Sequence, residues 1–418
     1  MKDEKEWDWM PGEKLIPVKE WHDQFNWVEE LQVSPDGEKI AAIVNTDESE
    51  FTVCANGEPW EERFDKAWSL RFLPDGRLSC LVSAEEEWTV CVDDALWETR
   101  FDYIWDFQHS DDGAFIGAAV QAGGEYGMAV NDTLWESLYH NIAGVVLSNQ
   151  GTSAAVVQVE PLGQGDIEGF SRGIFSVAVD GNALDAAYMN IWDLSFDTQG
   201  RQIAYTVRKN RVDYSISKDN QIWGGNFQFT WKPEFIRNNQ SVIAPVRQNG
   251  KWFLFKDESP FWQKSYEQLW KLAIHQDGEK IAAVVSDKYG KWTVSEDDHL
   301  WNFSSDTMIP DLFYSGDGQS LIAVFKHKGA WDIAVNAKSW NLSADKLWKP
   351  VVSRDNSITA TRMEKDKGFY LVVNGNVYKE KFDMIFEPKI SPENDKILLK
   401  AMENGIYSRQ VLTLDKVL

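Results

Sequence analysis

Short apolar runs alternate with turn-forming clusters along the whole chain, and the alternation repeats about every 39 residues. The stretch from Trp262 to Trp301, WQKSYEQLWKLAIHQDGEKIAAVVSDKYGKWTVSEDDHLW, holds one full period. Trp262 is followed by Trp270, then by the turn signal Gln276-Asp277-Gly278 and the apolar run Ile281 to Val285. Trp292 comes next, and the pattern restarts at Trp301. Ten turn signals recur along the chain: SPDGEK (34–39), LPDGR (73–77), SDDGA (110–114), SNQGT (148–152), DTQGR (197–201), RNNQS (237–241), HQDGEK (275–280), SGDGQS (315–320), SRDNS (353–357) and SPENDK (391–396). They lie 37 to 40 residues apart, except for one gap of about 49 that contains the insertion EPLGQGDIEGFSRG (160–173).

Each period divides into four strand-length pieces, here termed a to d. In residues 68–101 they are WSLRFL, RLSCLVS, WTVCVD and LWETRF. All are rich in aromatic and β-branched residues and are bounded by turn formers. Asn56-Gly57, Asp180-Gly181 and Asn374-Gly375 between c and d suit two-residue type I′ turns, which need positive φ. Four antiparallel strands per period predict an all-β fold, a β-propeller of ten blades. The last unit supplies a (Ile385–Ile390), b (Lys396–Met402) and c (Ile406–Leu412), then stops. Near the N-terminus, KEWHDQFNW matches GEPWEERFDKAW, which aligns Trp21 to Phe25 with strand d. An N-terminal strand is therefore expected to complete the last blade, removing an open edge that would invite aggregation. The expected organisation is an acidic tail (1–13) and a propeller (14–418) with the insertion in blade four. One ring of ten is favoured over two five-bladed rings, since one clasp should close one ring.

Nineteen of the 21 Trp occupy three repeat positions. Trp27, Trp68, Trp105, Trp192, Trp231, Trp270 and Trp348 start strand a; Trp88, Trp252, Trp292 and Trp331 lie on c; Trp21, Trp60, Trp97, Trp135, Trp223, Trp262, Trp301 and Trp340 lie on d. Recurrence at equivalent places predicts blade-to-blade packing, so that Trp270→Ala should cost roughly 3–5 kcal/mol. Trp7 and Trp9 fall outside the repeat, in EWDWMPGE, and either pack locally or dock to a partner.

Charge adds an asymmetry. The net charge is −24; residues 1–209 hold 14 Lys and Arg against 39 Asp and Glu, and residues 210–418 hold 28 against 27. Phosphate recognition needs a basic footprint, so nucleic acid is an unsuitable partner for the first half. The acidity serves solubility or offers one acidic side to a basic surface. The N-terminus lacks the basic and apolar regions of a secretory signal, and no apolar run is long enough to span a membrane. A cytoplasmic protein, peripheral to the membrane at most, is expected.

No constellation points to a reaction. The six His have no metal-ligand spacing. There is no C-x-x-C for haem or cluster attachment, no G-x-S-x-G and no phosphate loop. Acidic turns such as Asp111-Asp112 and Glu296-Asp297-Asp298 offer too few oxygens for calcium and are read as turn chemistry. No cofactor is expected. A two-residue turn at Glu85-Glu86 would set Cys80 opposite Cys91, either as reduced, buried small hydrophobes or as a redox pair.

The a–b and c–d turns share one face of the ring and are regular. The b–c and d–a loops share the other and vary; this face carries the insertion, with Asp166 and Glu168. Its b–c loops are acidic early (Asp47, Glu48, Glu85, Glu86, Glu87) and basic later (Arg208, Lys209, Lys288, Lys326, Lys328). Loops on a rigid scaffold commonly carry binding, so this bipolar face is the expected docking surface for a partner protein.

The SPDGEKIA turn at 34–41 and its echo HQDGEKIA at 275–282 resemble the WD-repeat-like repeats of TolB-type propellers. The Gly-His and Trp-Asp marks of standard WD repeats are not in register here. The abundance of Trp, together with unadorned repeats, resembles a narrower family, the tryptophan-rich subunit (TmcD) of the transmembrane redox complex of sulfate-reducing bacteria. That resemblance implies a cofactor-free cytoplasmic subunit, with iron–sulfur and cytochrome b and c subunits as partners, and supplies no catalytic residues. A free-standing scaffold or ligand-binding propeller is the alternative.

Overall fold

The computed structural model describes residues 4–236 and 241–418. Strand b is the most continuously apolar piece of each period, and it becomes a central strand of each sheet. Ile40–Asp47, Leu78–Ala84, Ile281–Lys288 and Leu321–His327 are buried along most of their length. A run without polar alternation needs cover on both faces, and a blade between two neighbours provides it. The sheets number ten, each a meander of four antiparallel positions, with strand a split into two short pieces in blades six, nine and ten.

The turns follow local chemistry. In the a–b turns a Ser hydroxyl donates to an Asp two residues on and accepts the N–H that closes the turn, as at Ser34, Ser110, Ser315 and Ser353. In the c–d turns the first residue has φ near +50°, as at Asn56 (52°), Asp93 (47°) and Asp297 (45°). Its side-chain oxygen accepts the first N–H of strand b, from Ile40, Leu78 and Ile281 respectively. The acidic c–d turns are thus structural. The b–c turn at Glu85-Glu86 has positive φ at both residues (54° and 70°), and Cys80 pairs with Cys91 in register. Both thiols are buried and free, and burial pushes the Cys80 thiol well up.

Ten apolar clusters occupy the ten seams between neighbouring blades. One of them joins blade ten (Met402, Tyr407) to blade one (Ile40, Ala42, Val44, Cys54). The chain therefore forms one closed ring of ten blades, and the two-ring alternative is excluded. An N-terminal strand closes it, but not the stretch first matched to strand d. Gly12–Ile16 pairs with Ile406–Thr413, from Gly12↔Val411 to Ile16↔Tyr407. Trp21 to Gln24 form a single helical turn. Trp21 still reaches its seam and is buried, so the aromatic match holds while the strand assignment moves toward the N-terminus.

Behind the clasp lies a polar contact between the chain ends. The buried Lys400 ammonium donates to the carbonyls of Ser34 (3.3 Å) and Pro35 (3.4 Å). Arg409 donates to Asp36 O (2.9 Å), and Tyr407 to Gly37 O (2.8 Å). The a–b turn of blade one is thus held by side chains of blade ten. In blade four the insertion forms the helix Ile167–Arg172 between strands b and c. Of the expected turn RNNQS, residues 237–240 lie outside the described residues.

Candidate protein-docking face

Strand a is the innermost strand: the a strands of neighbouring blades touch one another. Its register against b breaks at one place in most blades, after Trp68, Trp105, Trp192 and Trp270 among others. The residue that follows has positive φ, as at Ser69 (59°), Asp106 (49°), Asp193 (58°) and Lys271 (47°). Such a bulge re-aims the side chains beside it. The aromatic before the bulge, or in blade six the Trp231 at which strand a is split, lies against an aromatic near the start of strand c of the same blade. Trp68 and Trp88 have centroids 4.2 Å apart, Trp105 and Tyr126 6.0 Å, Trp192 and Tyr214 5.7 Å, Trp231 and Trp252 5.5 Å, and Trp270 and Trp292 6.3 Å.

The blade packing expected of the strand-a Trp residues is met only in part: Trp68 and Trp105 are partly buried against the clusters of their seams, and others are not. Trp231 and Trp270 are 39% and 37% exposed, whereas Trp262 on strand d is 3% exposed. The reason is position: strand d lies between blades, and the bulged end of strand a opens toward the b–c loops at the inner rim. Trp27 departs further. It pairs with Asn45, two residues before the bulge register, where Tyr103 sits in blade three. There it stacks on Phe51 and is largely exposed.

Residues two before the bulge Trp complete the rim, because alternate residues of a strand share a face. Tyr103 stacks on Trp105 (5.9 Å), and Phe229 meets Trp231 edge-on (5.1 Å). Tyr103, Met308 and Met384 are also exposed. The sequence reading missed these residues; the aromatic-x-aromatic spacing of Tyr103-Ile104-Trp105 and Phe229-Thr230-Trp231 was the available signal. Two continuous aromatic tracks result. One runs Trp88–Trp68–Tyr103–Trp105–Tyr126 over blades two and three, and the other Tyr214–Trp192–Phe229–Trp231–Trp252 over blades five and six.

Below the rim, polar groups tie strand a to its neighbours. Glu30 accepts from Leu70 N (2.8 Å), Arg71 donates to Phe107 O (2.9 Å) and Gln108 to Val145 O (2.9 Å). Burial raises the Asp193 and Glu234 carboxyls, with Lys232 opposing both shifts and Lys271 the second. Burial also lowers the Arg71 guanidinium.

The structure sorts the expected contact residues. Glu85, Glu86 and Glu87 are exposed on the rim face, and among the described residues no ion pair engages them or Glu168. Asp166 lies on the same face but caps the insertion helix, accepting from Gly169 N (2.7 Å). Arg208 donates to the carbonyls of Asn210 (3.1 Å) and Arg211 (2.8 Å), and Lys209 to Gly225 O (3.3 Å). Both cations are half-buried against their own loop. Trp7 and Trp9 are on the opposite face. They stack on each other (6.1 Å), and Trp9 Nε1 donates to Glu4 O (2.7 Å). Trp7 lines a cleft with Ser34, Pro35 and Asp36 of blade one and Pro74 to Gly76 of blade two. The tail is thus laid over the a–b turns of its own propeller. Among the described residues, no group of three or more His, Cys, Asp or Glu is placed to hold a metal, and no helix is long and apolar enough to cross a membrane.

No family model and no curated protein matches the chain. Among solved structures, it is similar to a eukaryotic initiation factor (11% identity, 86% of this chain and 89% of that one, TM-score 0.49). It is also similar to the Dos1 propeller (11% identity, 92% of each chain, TM-score 0.37). A third is the Cps50 (Swd1) β-propeller domain of Myceliophteria thermophila (12% identity, 65% of this chain and 98% of that one, TM-score 0.29). At these identities and scores none of them bears on function. A propeller with this aromatic rim is consistent with a scaffold or protein-interaction role.

Proposed function

We propose that the chain is a non-catalytic, cofactor-free docking subunit whose b–c loop face receives a partner protein. The half-exposed aromatic rim on that face is the observation that carries the reading. Large aromatic side chains are the usual anchors of protein interfaces, and they lose little rotamer freedom on binding. A belt of them around one mouth of a rigid ring is a preorganised contact surface. The acidic loops of blades one and two stand across the ring from the cationic loops that begin at blade five, which would orient the partner.

The finer reading follows from the resemblance to the tryptophan-rich subunit of membrane redox complexes. The partners would then be iron–sulfur and cytochrome b and c subunits, and the chain would sit peripherally on the cytoplasmic side through them. Isolation of the native protein without high salt tests this. Co-migration with haem and iron is the expected outcome. A colourless partner complex would overturn the redox assignment and leave the docking face standing. A lone protein, insensitive to charge reversal at Glu85 to Glu87, would overturn both.

A further inference from the structure

In five blades the second residue of the c–d turn reaches across a seam. It accepts hydrogen bonds from the two backbone N–H groups that follow the strand-d Trp of the preceding blade. Asp94 takes those of Glu61 (2.8 Å) and Glu62 (3.2 Å), Asp132 those of Glu98 (2.8 Å) and Thr99 (3.0 Å), and Asp298 those of Gln263 (3.0 Å) and Lys264 (3.1 Å). Asn220 and Glu258 do the same with one N–H each, from Ala186 (3.3 Å) and Gly224 (3.0 Å). After Trp340 the pair is Asn341 (3.0 Å) and Leu342 (3.2 Å), and Asp332 of the same blade supplies the carboxylate. The fold thus builds a carboxylate-binding pair of amides repeatedly, and the sequence fills it from within.

At the seam of blades three and four the second turn residue is Gly181, which has no side chain to offer. The corresponding amides are those of Glu136 and Ser137, and neither residue makes a hydrogen bond to another described residue. They open on a cleft of about 390 Å³, whose lining includes Leu134, Trp135, Ser153 and Asn182. A Cβ placed on Gly181 would stand 3.6 Å from Ser137 N, so the cleft begins where the other seams hold their carboxylate. At the seam of blades seven and eight Ala337 stands at this position. The loop there carries Phe303, which packs on Trp301 and Phe325.

We propose that the cleft between blades three and four binds a small monocarboxylate, held by the amides of Glu136 and Ser137 with its hydrocarbon part against Leu134 and Trp135. Paired backbone amides form anion-binding concavities, and hydrogen bonds to a carboxylate are stronger than those between neutral groups. The volume falls within the ordinary range for small-molecule sites. Nearby acids do not preclude an anion. Asp180 is engaged, accepting from Ser153 N (2.8 Å) and Ser153 Oγ (2.9 Å), and Asp94 occupies the equivalent place on the amides of Glu61 and Glu62, next to Asp93.

The test is a titration of ¹⁵N-labelled full-length protein with sodium butyrate against sodium chloride at constant ionic strength. Saturable downfield shifts of the Glu136 and Ser137 amides are expected. Gly181→Asp should abolish them, since the turn already carries Asp at positive φ in three other blades (Asp94, Asp132 and Asp298). That variant brings a Cβ to 3.1 Å from Trp135 Cβ, so Asp94→Gly serves as the reciprocal check and should create a butyrate response at Glu61 and Glu62. Unsaturable or absent shifts at Glu136 and Ser137 overturn the site, as does an undiminished response in folded Gly181→Asp. A parallel arm uses the blocked peptide acetyl-Gly-Glu-Gly-amide. Binding about tenfold tighter than butyrate would overturn the small-ligand assignment in favour of a protein carboxylate.

Discussion

Trp262 and Trp270 come from the same repeat, yet the ring gives them opposite surroundings. Trp262 lies in the seam of blades six and seven among Ile243, Leu254, Leu269 and Ile281. Trp270, eight residues on, is more than a third exposed at the inner rim. Distance from the ring axis decides the difference. Between blades, a large ring fills space that nothing else reaches; at the bulged inner strand, it projects past the last cross-strand contact. One is held by its neighbours and the other is offered to a partner.

The largest effect that separates the two is on stability. Burying a Trp removes roughly 150–250 Å² from water, a gross gain of about 4–6 kcal/mol at ~25 cal/mol/Å². Trp262→Ala is therefore expected to cost roughly 3–5 kcal/mol, including the cavity it leaves. Trp270→Ala should cost about 1 kcal/mol, as its ring keeps much of its hydration. Urea midpoints of the two variants measure this, and equal losses would break the distinction. Trp262 Nε1 is buried without a hydrogen-bond partner among the described residues. Trp262→Phe should therefore lose clearly less than Trp262→Ala, because it also removes an unpaired donor.

The second separation is in binding. If the rim anchors a partner, Trp231→Ala with Trp270→Ala should weaken the complex by about 2 kcal/mol or more, a loss typical of interface hot spots. Calorimetric titration with the isolated partner measures it, against the melting midpoint of the same variant. A variant that unfolds more readily yet binds normally would return these residues to the packing role.

The closing seam asks whether apolar burial alone joins blades. There Trp21 packs as the strand-d Trp residues do, but Lys400 is buried against the a–b turn of blade one, and burial lowers its ammonium to about 7. Lys389 lowers it further, while Glu387 and Asp36 raise it. Between that value and the ordinary lysine range the unfolded chain binds the extra proton, so stability should rise with pH. The slope from this group is at most about 1.4 kcal/mol per pH unit. Between pH 7 and 9 the difference between wild type and Lys400→Met should show that rise, whereas the buried thiols contribute equally to both and cancel. A pH-independent difference would mean that Lys400 keeps its proton in the folded chain throughout that range.

The blade count was legible because turns and strand lengths are local properties, repeated ten times. The register of Trp27 was open to the same counting, but Trp27 was grouped with the other strand-a Trp residues. Trp68, Trp105, Trp192 and Trp270 each stand five residues before the first turn residue, and Trp27 stands seven before Ser34. Exposure of the strand-a Trp residues was not legible. It depends on the bulge after each one, which residues as different as Ser69, Asp106 and Lys271 adopt, and on the radius of a ten-bladed ring. The opposite placement of the Trp7 and Trp9 tail was equally hidden, since it rests on Arg409 donating to Asp8 O (2.6 Å) across almost the whole chain.

The smallest expected effect concerns the loops around the rim. Glu85, Glu86 and Glu87 are exposed and unpaired among the described residues, so each contributes little to stability. Their reversal to Lys should leave the melting midpoint within about 0.5 kcal/mol of wild type. It should lower the association rate of a partner that approaches blade two with basic groups by about tenfold at low salt, and by much less at physiological ionic strength. Dissociation should change little, because the aromatic rim holds the complex once it has formed. Stopped-flow association at two salt concentrations separates these contributions. If reversal speeds dissociation while association is unchanged, the acidic loops lie inside the contact, and the boundary of the docking surface extends from the Trp68–Tyr103 track to the tip of blade two.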